Sequence, residues 1–213
     1  MPLPKLVSLP TPPLDRDRPA HSDRTRAIAA VRDLLEALGE DVSRPGMVRT
    51  PARFADLLMD LFADLGTDPA GAVGDPIRLE DATETGDLVS MIGISFRSIC
   101  EHHLMPFDGV VDIFIAPRDL LAGFSRVVGV VESASRRPQL QERLGQQVAD
   151  ALMSALDPHG VVVRVAATHG CIAHLEPHAR ATKIVTVARA GSIPDSLLAV
   201  ALGSDSAGLI GGT

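Results

Sequence analysis

Both cysteines of this 213-residue chain stand in short histidine-bearing segments far apart in sequence, Cys100-Glu101-His102-His103 and Thr168-His169-Gly170-Cys171. Thiolate and imidazole are the ligands that zinc prefers, and three of them with one open position make a catalytic centre. The Cys100-x-x-His103 spacing lets both side chains reach one ion from a loop, whereas Cys171 arrives 68 residues after His103. A fold that uses all three must bring two distant strand ends together. In an extended segment side chains alternate, so Val161, Val163, Val165, Ala167, His169 and Cys171 are expected on one face. His169 would then point wherever Cys171 points. Cys100 and His102 share a side in the same way, and His103 joins Cys100 only if the chain turns there. The bland alternative is a pair of buried thiols among hydrogen-bonded histidines. Against it, four of the seven histidines and both cysteines lie in or beside these two segments.

Composition narrows the function classes. Hydrophobic residues make up 46% and charged residues 22%, a globular balance in a chain long enough to bury a core without disulfides. There are six Phe, no Trp and no Tyr, which argues against a stacking platform for single-stranded nucleic acid. The net charge of −7 argues against broad phosphate-backbone binding, so no nucleic-acid partner is expected. No run of about 18 apolar residues occurs, so no membrane span is expected. The N-terminal stretch has neither a long apolar core nor a small-residue cleavage site and does not read as a signal peptide. A cytoplasmic location with reduced thiols is the expectation.

Residues 1–22 carry six prolines and read as a flexible arm. Residues 23–65 read as an N-terminal helical region. One helix is expected from Ser22 through Ile28, Val31, Leu34, Leu35 and Leu38 to the stop at Gly39. A second opens at Thr50-Pro51, a hydroxyl cap before a first-turn proline, with the stripe Phe54, Leu57, Leu58, Leu61 and Phe62. The segment 66–76 reads as loop. Residues 66–190 read as the catalytic domain: two β-rich runs flank Cys100–Gly109, Ser125 caps a helix to Arg137, and a longer helix spans about Gln139–Leu156. A third strand then ends at Cys171, and Thr182–Arg189 forms a fourth. Residues 191–213 read as a tail. Helix, helix, strand, strand, helix, helix, strand, strand is the order of an α+β domain with an antiparallel sheet.

The stretches SICEHHLMPFDG, SRRPQLQERLGQQVADAL and VVVRVAATHGC, with LLEALGEDVSRPGMVRTPARFADLL upstream, resemble the GTP cyclohydrolase I family over roughly residues 25–187. The resemblance implies a tunnelling fold, in which two antiparallel helices sit between the hairpins of an antiparallel sheet. It also implies a homo-oligomer, most often a decamer of two pentameric rings, with metal and guanine contacts shared between neighbouring chains. The implied reaction opens the imidazole ring of GTP at C8, releases formate and recloses the product as 7,8-dihydroneopterin triphosphate, the first step of tetrahydrofolate and pterin synthesis. Residue by residue, Cys100, His103 and Cys171 become zinc ligands. His102 and His169 become the proton-handling histidines, and Ser125 a residue of the later ribose rearrangement. Gln141 and Glu142 become the guanine-recognition pair, and Arg53 and Arg126 triphosphate contacts.

The chain departs from the family pattern at the triphosphate. Where the family reads close to S-K-L-x-R, this chain has Ser125-Arg126-Val127-Val128-Gly129, and Leu175-Glu176-Pro177 stands where another arginine is usual. Asp56 stands where basic character is common. A missing arginine hydrogen bond to a charged oxygen costs about 1.5–3 kcal/mol. His174, His178, Arg180 and Lys183 are candidates to compensate. Two alternatives follow: a paralogue acting on a less phosphorylated guanine nucleotide or other purine derivative, and a non-catalytic purine- or pterin-binding zinc protein.

Overall fold

The computed structural model describes residues 22–78, 88–194 and 199. The arm, apart from Ser22, and the tail beyond residue 194, apart from Ala199, lie outside the described residues. The chain divides into two compact units, Met1–Gly66 and Thr67–Thr213.

The first unit holds α1 (Arg24–Ala37) and α2 (Thr50–Leu61). Asp23, not Ser22, caps α1, its carboxylate accepting from the Arg26 amide. Thr50 does not cap α2: the helix already includes it, Arg49 takes the cap position without a side-chain bond, and Pro51 follows in the first turn. The two helices pack on each other, and the Arg24 guanidinium grips the Asp56 carboxylate at 2.6 and 2.9 Å. The residue that departs from the family's basic character is thus one half of an interhelical ion pair. Of the expected α2 stripe, Phe54 and Leu57 are exposed, and the buried residues are Pro51 and Ala55.

The second unit opens where a plain loop was expected. A 3-10 turn, Pro69–Val73, is capped by Asp68, and β1 (Ile77–Arg78) pairs with β4 (Leu120–Leu121). The main sheet has the order β5-β2-β3-β6-β7. Its strands are β2 (Val89–Cys100), β3 (Pro106–Ala116), β5 (Pro138–Gln139), β6 (Gly160–His169) and β7 (Ile184–Gly191). All neighbours are antiparallel except β5, which runs parallel to the end of β2. Between the hairpins lie α3 (Phe124–Ser135) and α4 (Gln141–Leu156). This order of hairpin, helix pair and hairpin is that of a tunnelling fold.

Alternation along β6 builds the core. Val161, Val163, Val165 and Ala167 are buried against Leu144, Val148 and Leu152 of α4, while Val162 faces the other way with Phe114. Gly109 of β3 lies against β6 so closely that a Cβ there would stand 2.0 Å from the Ala166 carbonyl oxygen. Any side chain would push the two strands apart. In β2 a register shift between Met91 and Ile94 is centred on Gly93, which sits at φ +80° and donates its amide to the buried Asp112 carboxylate.

Three element boundaries differ from expectation, each for a local reason. The longer helix starts at Gln141, not Gln139, because Pro138 and Gln139 are drawn into the sheet beside Ile99 and Cys100. Gly123, not Ser125, is the cap of α3, and Ser125 lies exposed inside the first turn. The third strand stops at His169, and Gly170 begins α5 (Gly170–Leu175), so Cys171 is helical. Gly170 permits that break, since a Cβ there would meet the Pro106 carbonyl oxygen at 2.9 Å.

Candidate metal centre and active site

The turn that joins β2 to β3 shapes the first ligand segment. The Cys100 amide donates to the Met105 carbonyl and the Leu104 amide donates to the Cys100 carbonyl, both at 2.8 Å. Leu104 completes the reversal at φ 51°, in the left-handed region that side chains rarely adopt. The reversal brings His103 back to Cys100, with Sγ and Nδ1 4.0 Å apart. Cys171 arrives from the other hairpin on the first turn of α5. The ligand atoms of Cys100, His103 and Cys171 all lie within 4.8 Å of one another. Ligands held 2.0–2.3 Å from one zinc ion in a tetrahedron stand roughly 3.5–3.8 Å apart, so a small inward adjustment seats the metal.

The donor set suits a cation. Both cysteines are buried and unbridged. Burial pushes the Cys171 thiol up, and the neighbouring Cys100 pushes it further. Two thiolates side by side are unfavourable until a positive ion stands between them. The group could therefore hold a metal, and two thiolates with one imidazole are a donor set compatible with zinc. All three candidate donors come from one chain.

His169 lies beside this group rather than within it. Strand alternation does not carry it along with Cys171, because the chain turns helical between them. Its ring stacks on Phe107, its cross-strand partner, at 4.6 Å and 6° between planes. Nε2 lies 2.8 Å from Oε1 of Gln141. Burial pulls the His169 imidazole pKa down, and the Glu142 carboxylate acts the other way. His102 is exposed on the turn, edge-on to His103.

The remaining residues divide into those at the site and those elsewhere. Gln141 is 2% exposed, and both ends of its amide are engaged within the fold. Glu142, next to it in the first turn of α4, is exposed. Ser125 and Arg126 are exposed at the start of α3, and the Arg126 guanidinium lies over Gly74. Gly129 faces Ala72, whose Cβ is 3.5 Å from where a side chain would begin. Leu175 is 59% exposed at the end of α5. Arg53 is an exposed residue of α2, in the first unit.

Two contributors have no individual signal in the sequence. Arg143 binds Glu101 through both terminal guanidinium nitrogens, with Nη2 3.0 Å from Oε1 and a second contact through Nη1. This pair ties the turn after Cys100 to α4 across 42 residues. The Arg143 bond is also the main reason the Glu101 carboxyl lies below the usual range. Phe107 is the other, the wholly buried platform under His169. The one sequence signal that could have found this pair is the position of Glu101 between two candidate site residues.

Comparison with known proteins identifies the family. A family model described as GTP cyclohydrolase I matches residues 27–199. A GTP cyclohydrolase 1 of Leifsonia xyli is 41% identical over 173 residues, which cover 81% of this chain and 90% of that protein. One from Streptococcus pyogenes serotype M49 is 39% identical over 86% of this chain and 93% of its own length. Among solved structures, the apo form of the archaeosine synthase QueF-Like is similar at 20% identity and a TM-score of 0.41, covering 52% of this chain and 100% of that one. The match runs through both ligand segments and α4, and the chain is an enzyme of the GTP cyclohydrolase I family.

Proposed function

We propose that this protein is a zinc-dependent cyclohydrolase that opens the imidazole ring of GTP at C8, releases formate and recloses the product as 7,8-dihydroneopterin triphosphate. The observation that carries the reading is the meeting of Cys100, His103 and Cys171 within one chain, beside an oriented histidine. Zinc bound by three such ligands supplies Lewis acidity and lowers the pKa of water toward neutrality.

The chain's own residues supply the rest. Glu142, exposed beside His169, is the carboxylate suited to accept from guanine N1–H and the exocyclic amino group together, a bidentate contact. That contact would orient C8 toward the metal group. His169, held by Phe107 and Gln141, and His102 on the turn move protons at N7 and at the ribose ring oxygen. Ser125 serves the ribose rearrangement, and Arg126 and Arg53 bind phosphate. Assembly as a ring-based homo-oligomer, a decamer of two pentamers, is part of the same reading. It is supported by β7, an eight-residue strand with no further strand beside it among the described residues.

A second reading, a less phosphorylated guanine nucleotide as substrate, is favoured by one observation. The position after the metal cysteine that the family gives to a phosphate-binding arginine here exposes Leu175, followed by Glu176. Incubating zinc-loaded protein with GTP, GMP and guanosine in parallel separates the readings by formate release and pterin fluorescence. A GTP enzyme prefers GTP, and Arg126→Ala weakens that preference. Similar kcat/KM values for GTP and GMP, with Gly129→Arg shifting preference toward GTP, select the second reading. Formate from none of the three overturns both.

A further inference from the structure

The Gln141 amide has a determined orientation. Two backbone carbonyl oxygens, Val165 O and Ile184 O, each stand 3.0 Å from one end of it, with Thr186 Oγ1 at 3.2 Å. Carbonyl oxygens only accept, so the end that meets them is the NH2 group. Reversing the amide would set its oxygen against two carbonyl oxygens in a buried place, with nothing to donate to them. The opposite end, Oε1, is therefore the atom 2.8 Å from His169 Nε2. An amide oxygen accepts and cannot donate, so Nε2 carries the hydrogen. A half-turn of the ring about Cβ–Cγ would keep the stack on Phe107 but set Cε1, not a nitrogen, opposite the amide oxygen.

We infer that Gln141 is a positioning residue, which holds His169 as the Nε2–H tautomer and leaves Nδ1 as the only ring atom that exchanges a proton with substrate. The same hydrogen bond serves the neutral and the protonated ring, because Nε2 donates in both. This gives Gln141 a role different from the direct guanine contact that the family resemblance implies. Its place in catalysis rests on the cyclohydrolase reading; the tautomer itself does not.

The test is the 15N spectrum of the full-length, zinc-loaded protein labelled in histidine, taken where His169 is neutral and assigned by comparison with His169→Gln. A pyrrole-type Nε2 and a pyridine-type Nδ1 are expected. Gln141→Met keeps the length of the side chain and removes the acceptor. It should lose the single-tautomer signature and drop kcat by about tenfold to a hundredfold, the scale of an outer-shell positioning partner. KM and zinc content should stay within about twofold. A pyridine-type Nε2 in the unmodified protein overturns the inference, as does a Gln141→Met protein with unchanged spectrum and kcat. Should Gln141→Met fail to fold, the spectrum of the unmodified protein still decides. A pyrrole-type Nε2 in a protein inactive on every guanine substrate sustains this inference and sinks the cyclohydrolase reading instead.

Discussion

Cys100 and Cys171 approach each other from separate hairpins, and burial together with the neighbouring Cys100 pushes the Cys171 thiol pKa up. His103 adds the third donor from the same turn as Cys100. Replacing Cys171 with Ser, or His103 with Ala, should therefore lower zinc content to about a tenth or less, because a three-ligand centre has none to spare. Elemental analysis after dialysis reads this directly. A fully metallated Cys171→Ser protein would refute the ligand assignment. His102→Ala makes the contrast: it should keep its zinc yet lose about a hundredfold or more in rate. Zinc loss in that variant would mean that His102, not His103, is the ligand.

The first turn of α4 organises the site from two directions. Gln141 reaches β6 and β7 and holds His169, while Arg143 reaches the turn that carries the candidate ligands and holds Glu101. Outer-shell partners of this kind commonly govern metal affinity by 10–100-fold. Arg143→Ala should weaken zinc binding by about tenfold in a chelator competition while leaving Tm within a few degrees. Unchanged affinity would reduce the pair to a surface tie. In the other unit, the Arg24 hydrogen bond holds the Asp56 carboxyl below its usual range. The sign follows: the pair's contribution is present above the unfolded carboxylate pKa of about 3.9 and is lost as pH falls through the lower folded value. Asp56→Asn should therefore melt below the parent protein at pH 7 in low salt. The gap should close as pH falls through the lowered folded value and narrow in high salt, because both partners are half exposed. A gap that persists in acid would show that Asp56 acts through packing.

At the scale of the whole molecule, the sheet among the described residues ends in β7, with Val185 and Val187 exposed along it. No helix of the described residues is long and apolar enough to cross a membrane. An eight-residue edge strand carrying apolar side chains invites pairing with another strand, and the proposed ring assembly provides one. Sedimentation of the zinc-loaded protein should give a homo-oligomer several times the chain mass, with decamer as the expected size. A monomer that retains full cyclohydrolase activity would contradict that arrangement.

Element type was legible in the sequence wherever one local period dominated. The apolar spacing of α4 and the alternation of β6 each identify an element and the face that it buries. The ligand segments were legible as well, since cysteines and histidines clustered in so few places are a chemical signal that needs no coordinates. Junctions were not. The end of β6 depends on the Pro106 carbonyl at Gly170, and the start of α4 depends on Pro138 and Gln139 being taken up beside β2. Both are set by neighbours distant in sequence. The same holds for the clamp of Arg143 on Glu101 and for the facing of the Gln141 amide toward two strands. The sequence by itself determined which residues can bind a metal and which faces seek a core, because those are properties of side chains and local spacing. Only the tertiary structure decided which partner each polar group meets, because hydrogen bonds act over about 3 Å and only the assembled sheet and helices bring those groups that near.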